Sequence, residues 1–219
     1  MSEKAVDVEV EFDRQVERLV ELGYPELAGR PAERFGESVA PLRELVRSRT
    51  IGEHDPENGR VGFALVVTRR LVPIEQAMQR TALVGRSTPG FVDRSFEEGS
   101  LARFVAPEAV HVPDADAYLL FDVDRGEEFC GAVPVEAMDA IAGRERTVLT
   151  IEEGIALLTL YPEVLVKNKC YMLGGSRCGD RRVPALWISR NAPKLGWCWE
   201  RNPHTWLGMA SAGSRVAAV

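Results

Sequence analysis

The chain has 219 residues, 45% of them apolar and 27% charged, with four cysteines and a formal net charge of −6. That balance excludes extensive disorder and a collagen-like or disulfide-dense scaffold, and the length suits one compact core, which a helical N-terminal segment over residues 1–58 either extends or joins to a body over 59–219. The opening Met1-Ser-Glu-Lys-Ala-Val-Asp lacks the basic and apolar regions of a secretory signal, and the apolar run from Ile155 to Val166 is interrupted at Pro162, so a cytoplasmic protein with reduced thiols is expected.

Val10, Phe12, Val16, Leu19, Val20 and Leu22 recur near helical spacing and stop at Gly23, which predicts an amphipathic helix. A second helix is predicted over Pro31 to Ser48, weakened or kinked at Gly36 and Pro41, and His54-Asp-Pro-Glu-Asn-Gly59 then reads as a turn-rich boundary. Val61 to Thr68 has the composition of a buried strand, Pro73 to Leu83 that of a helix, and Gly85 to Asp116 that of long irregular connections. Tyr118–Val123 and Glu128–Val133 flank Asp124-Arg-Gly126 in the manner of a hairpin. A helix follows over Val135 to Ala142, and Thr150-Ile-Glu-Glu153 is a capping box that opens another, running to Leu160. Beyond it, strands are predicted at Tyr171–Leu173, Val183–Ser189, Leu195–Trp199 and Trp206–Ala210. Strands grouped after helices indicate an α+β fold, with N-terminal helices packed on a mixed helix and largely antiparallel sheet body.

Charge is unevenly placed. From Leu165 to the end nine basic residues face two acids, a local +7, while the preceding 164 residues hold 18 basic and 31 acidic residues, a local −13. Two oppositely charged parts of one fold can simply match one another, and alternatively the basic part offers a surface to an anionic partner. All four tryptophans, Trp187, Trp197, Trp199 and Trp206, fall in this basic part, with Cys170, Cys178, Cys198 and His204. The words Gly174-Gly-Ser-Arg-Cys-Gly-Asp-Arg-Arg182, Pro193-Lys-Leu-Gly-Trp-Cys-Trp199 and Asn202-Pro-His-Thr-Trp-Leu-Gly208, together with Tyr118 to Pro162, resemble an actinobacterial family of uncharacterised proteins, a domain of unknown function. Asn202 to Gly208 is the most specific part, and the resemblance implies no activity.

Several chemistries remain open on these residues. Gly174-Gly-Ser-Arg177 can form a turn whose N–H groups and guanidinium hold a phosphate or carboxylate, although it lacks the Gly-Lys-Ser/Thr ending of a P-loop and equally fits a plain hairpin turn. Cys170, Cys178, Cys198 and His204 form a C-x7-C-x19-C-x5-H set that zinc could in principle draw together, but none of the intervals is a tight knuckle, and no metal is favoured. Cys178 as nucleophile, His204 as base and Asp180 or Asn202 as the orienting group are the catalytic candidates, against the plain alternative of a turn-stabilising histidine. His54 and His111 lie in loop-like contexts that single out neither.

Tryptophan beside basic residues also suits base stacking, but a pI near 5.3 argues against nucleic acid. The reading that follows is a protein that binds a small phosphate- or carboxylate-bearing anion through Arg177, Arg181, Lys194, Trp199, Asn202, His204 and Trp206, with catalysis left open and the cofactor unspecified. The alternative is an interaction domain that docks an acidic partner, or the acidic part of a second copy in a homo-oligomer, through Trp199, Arg201 and Trp206. A zinc-stabilised module is the third. No membrane partner is expected.

Overall fold

A computed structural model describes residues 7–218; the first six residues of the acidic opening lie outside them. The fold is α+β. In chain order it comprises α1 (Val8–Glu21), α2 (Tyr24–Leu27), α3 (Ala32–Val39), α4 (Pro41–Arg47), β1 (Arg60–Val67), α5 (Ile74–Met78), β2 (Phe91–Val92) and β3 (Ala117–Asp124). There follow α6 (Pro134–Ala142), β4 (Thr147–Val148), α7 (Ile151–Leu160), β5 (Cys170–Met172), β6 (Arg182–Ser189), β7 (Ala192–Trp199), β8 (Leu207–Met209), β9 (Ser211–Ala212) and β10 (Ser214–Val216). Among the described residues no helix is long and apolar enough to cross a membrane.

Two five-stranded sheets result. The first has the order β1-β3-β9-β4, with β10 also on β3, and the second the order β2-β7-β6-β5-β8. β1 and β3 pair antiparallel, with Phe63 opposite Phe121 and Leu65 opposite Leu119. In the second sheet β6 and β7 form an antiparallel hairpin closed at Arg190 and Asn191, both with positive φ (53° and 59°), the geometry of a primed two-residue turn that matches strand twist. The chain passes between the sheets at Ala210, whose N–H donates to the Met172 carbonyl (3.1 Å) and whose carbonyl accepts from Leu149 (3.0 Å).

α7 lies inside this frame, buried at every position but Glu152, and touches β1 of one sheet and β6 of the other. Its capping box is complete: Thr150 Oγ1 accepts from the Glu153 N–H and the Glu153 carboxylate accepts from the Thr150 N–H. Glu153 is fully buried, and it remains tolerable there because Arg215 from β10 meets it with two nitrogens and the Tyr118 hydroxyl donates to it at 2.7 Å. That negative neighbour and burial together push the Tyr118 phenol well above its ordinary pKa.

Besides its apolar face of Phe12 and Leu19, α1 is tied to β1 by one polar side chain. Gln15 is fully buried; its Oε1 accepts from the Leu65 N–H (2.7 Å) and its Nε2 donates to the Phe63 carbonyl (3.2 Å), so the amide satisfies the outer edge of β1 as a further strand would.

The structure differs from the sequence reading in three places. The second predicted helix is two, α3 and α4, because Pro41 brings no N–H to the ladder and α4 starts on it. The predicted helix from Pro73 shrinks to α5. The predicted hairpin around Asp124-Arg-Gly126 does not form: the chain leaves β3 into a 3-10 turn at Glu127–Phe129, and β9 and β10 take the edge of β3 instead. Gly126, at φ 74°, makes this exit against β8 so closely that a Cβ would lie 1.9 Å from the Met209 carbonyl oxygen.

Candidate functional site

The residues singled out in the basic segment are mounted on the β6–β7 hairpin and the turns at its ends. Alternation along β7 sends Lys194 and Trp199 to opposite faces, and five residues of extended chain separate them by about 17 Å. The structure therefore gathers them into two groups.

At one end Lys194 pairs with Asp93 across the β2–β7 junction, and its ammonium sits 5.0 Å from the centre of the Trp187 ring. Burial alone would raise the Asp93 pKa, but the hydrogen bonds from Lys194 and from Ser95, with the charge of the ammonium, together outweigh it and hold the group down to about 2. Trp187 meets Trp206 edge-on at 6.0 Å, and the His204 ring lies 5.4 Å from Trp206. These side chains close one another off: the cation has its counter-ion and the rings pack against each other.

At the other end Arg177 is engaged internally. Its Nη2 donates to Glu200 Oε2 (2.5 Å) and to the Asp180 carbonyl (3.1 Å), and its backbone bridges to Val105. Arg182 binds Asp180 through Nε (2.8 Å) and lies over both Phe104 and Trp197. Burial would raise the Asp180 pKa, but hydrogen bonds from the Arg182 N–H, Cys178 and the Arg182 guanidinium bring it down. Trp197 and Trp199 meet edge-on at 4.8 Å. Beyond them Arg181, Trp199, Glu200 and Arg201 line a shallow open groove. Trp199 is 50% exposed there, and Arg181 and Arg201 have no ion-pair partner among the described residues. Asn202 is exposed beside it and closes the turn by donating its N–H to the Trp199 carbonyl (3.0 Å).

The cysteines are dispersed. Cys170 Sγ donates to the Val166 carbonyl (3.6 Å), Cys198 is buried against Met172 Sδ (3.3 Å), and Cys178 accepts from Arg182 (3.6 Å). Burial pushes the Cys198 thiol up to about 11, away from thiolate chemistry. Among the described residues no three His, Cys, Asp or Glu side chains are grouped as a metal would require, so Cys170, Cys178, Cys198 and His204 are not assembled into one set. No hydrogen bond links Cys178 to His204, whose ring is turned to Trp206.

The model of a family of unknown function, DUF5701, matches residues 18–218. The chain belongs to that family. The match takes in the last turn of α1, the helices α2 to α4 and both sheets, well beyond the C-terminal half that carries the motif words. No curated protein and no solved structure matches the chain.

The charge matching between the two parts of the chain was visible only in outline. Lys169, Lys194 and Arg215 pair with Glu127, Asp93 and Glu153 of the preceding acidic part, whereas Arg177 and Arg182 pair within the basic part. No spacing rule identifies Asp93 as the partner of a lysine a hundred residues away. A local signal for Glu200 did exist: opposite Arg182 in the hairpin register, Trp199 places the next residue beside the turn that carries Arg177.

Proposed function

We propose that the protein is a binding module that docks an acidic segment of a partner protein through the groove of Arg181, Trp199 and Arg201. The observation that carries this reading is the contrast among the basic residues: Arg177 and Lys194 are neutralised by Glu200 and Asp93, while Arg181 and Arg201, which line the groove with the half-exposed Trp199, have no ion-pair partner among the described residues. Arginine and tryptophan are the side chains that most often dominate binding surfaces, and a shallow groove accommodates an extended chain better than it encloses a small molecule.

A second reading keeps the same groove and gives it a free phosphate- or carboxylate-bearing molecule, which two guanidiniums can grip by charge-assisted hydrogen bonds. Catalysis by Cys178, His204 and Asp180 would need the His204 ring, which lies against Trp206, to be brought to the Cys178–Asp180 pair. An actinobacterial origin and a cytoplasmic location belong to the same proposal, supported by the Asn202–Gly208 resemblance and by four unpaired cysteines. The acidic partner can equally be a second copy of this chain.

Tryptophan fluorescence tests the proposal. An acidic peptide should quench or shift the emission in a salt-sensitive manner, and Arg181→Glu with Arg201→Glu should weaken binding by about ten-fold or more. Equal responses in wild type and the charge-reversed variant would overturn it. A response to inorganic phosphate or citrate with none to the peptide would transfer the groove to the small-anion reading.

A further inference from the structure

A cavity of about 200 Å³ lies away from the groove, between the end of β1, the start of β3, the N-terminus of α7 and the segment 105–115. Val105, Ala106, Val112, Pro113 and Ala115 form its apolar side, and Tyr118, Thr150 and Ser176 its polar floor. Arg69, Arg70 and Glu152 stand at its rim. An apolar cavity of about 150 Å³ is enough to hold benzene, so this one has room for a single substituted ring.

The floor decides the chemistry. Ser176 is 1% exposed and Thr150 is 4% exposed. Each hydroxyl oxygen already accepts a backbone bond from the first turn of α7: Ser176 Oγ from the Ile151 N–H (2.9 Å) and Thr150 Oγ1 from the Glu153 N–H (3.3 Å). Neither hydroxyl has an acceptor for its own proton among the described residues, and a buried donor left without an acceptor is costly. Tyr118 differs, since its proton is already given to Glu153. The floor thus presents two free donors and asks for an acceptor.

Charge at the rim is matched. Arg69 is held by Glu152, with Nη2 at 3.0 Å, and by the Leu101 carbonyl, and Arg70 is held by Asp114 and Asp116. The helix N-terminus would by itself favour an anion, but Glu152 and Glu153 occupy its first turn and oppose one. We propose that this cavity is a binding site for a small uncharged molecule, of about one ring's size, that carries a carbonyl-type oxygen received by the Ser176 and Thr150 hydroxyls. The site is independent of the groove proposed above, and it contains no tryptophan, so the two assignments fail separately.

The test is a titration of the methyl-labelled protein by NMR, following the methyls of Val105, Ala106, Val112 and Ala115. Acetophenone is expected to shift these resonances in the millimolar range. Ethylbenzene, of nearly the same shape but without the oxygen, should bind about five- to ten-fold more weakly, the worth of one hydrogen bond. Benzoate should bind more weakly still. Ser176→Ala should remove most of the preference for acetophenone over ethylbenzene. Because that change also strips the Ile151 N–H of its partner, Ala106→Phe serves as the second variant: it fills the cavity, leaves the hydrogen bonds intact, and should abolish the shifts. No shifts with any of the three probes, or shifts that persist in Ala106→Phe, would overturn the site. Benzoate matching acetophenone, or ethylbenzene matching it, would overturn the assigned ligand class.

Discussion

Replacing Gln15 by leucine tests how the N-terminal helices are tied to the sheet. Leucine nearly conserves volume but removes the amide that accepts from the Leu65 N–H at 2.7 Å and donates to the Phe63 carbonyl at 3.2 Å. Both groups sit on the outer edge of β1, in a region from which water is excluded, and each left unsatisfied costs about 1–3 kcal/mol. The same Nε2 lies 2.8 Å from the Tyr161 hydroxyl and 3.1 Å from Glu11, so part of that network loosens too. The Tyr161 hydroxyl, whose one proton is shared between Glu11 and the Phe63 carbonyl (3.3 Å), limits the damage on that side only in part, and the added apolar burial offsets roughly 1 kcal/mol. The net expectation is a destabilisation of about 2–4 kcal/mol. In urea unfolding this appears as a midpoint lowered by roughly 1–2 M with an unchanged slope. Tyr161→Phe, which deletes only the hydroxyl, should cost less, about 1–2 kcal/mol. A Gln15→Leu variant within about 0.5 kcal/mol of wild type would show that the edge of β1 does not depend on the amide, and the argument would fall.

A chain beginning at Arg60 should lose its cooperative thermal transition, because Phe12, Leu19, Phe35, Val39, Leu42 and Val46 are buried in the same core as Phe63 and Leu65; a sharp transition in the shortened protein would make the N-terminal segment an appendage. The Asp93–Lys194 pair contributes stability that is present above the unfolded carboxyl pKa near 3.8 and is lost as pH falls toward about 2, so Asp93→Asn should remove about 1–2 kcal/mol at neutral pH and flatten stability over that acidic window in urea titrations. Arg177→Ala should cost about 1–2 kcal/mol and weaken acidic-peptide binding by freeing Glu200 beside the groove, and adding Glu200→Ala should restore most of the binding. Binding that stays lost in the double variant would make Arg177 a direct contact.

The elements that the sequence made legible are those whose signals are local. The capping box at Thr150 and Glu153 places the start of α7 because both reciprocal bonds lie within four residues. The strands of the β6–β7 hairpin are legible at Val183–Ser189 and Leu195–Trp199 from their composition, although β7 starts earlier, at Ala192, and the tight turn at Arg190 and Asn191 is not among the predicted elements. What stayed hidden is non-local. β3 and the residues after Gly126 look like a hairpin, yet the edge of β3 is claimed by β9 and β10, some ninety residues on, and the tight fit of Gly126 under Met209 is invisible until β8 is in place. The capping box places Glu153 at the start of α7, but its burial against Arg215, sixty-two residues on, has no local signal, so the same acid is also a core ion pair.

The same distinction governs the site. Composition marks out the basic, tryptophan-rich segment, because charge and aromatic content are properties of the segment. It could not rank the basic residues within it, because a cation is available for binding only if no acid has already taken it, and those acids come from anywhere in the chain. Arg177, next to a Gly-rich turn, is held by Glu200, whereas Arg181, near the end of the same motif word, and Arg201 have no ion-pair partner among the described residues. The cavity above α7 is a sharper case. Its donors without an acceptor among the described residues, Thr150 and Ser176, read in the sequence only as a helix cap and a turn residue, and those roles are real. A hydroxyl that accepts a backbone bond still has a proton to give, and whether that proton finds an acceptor depends on the segment 105–115 that closes over it. In this fold the groups left open for a ligand are the remainder after the internal pairing is complete, and that remainder is a property of the three-dimensional structure.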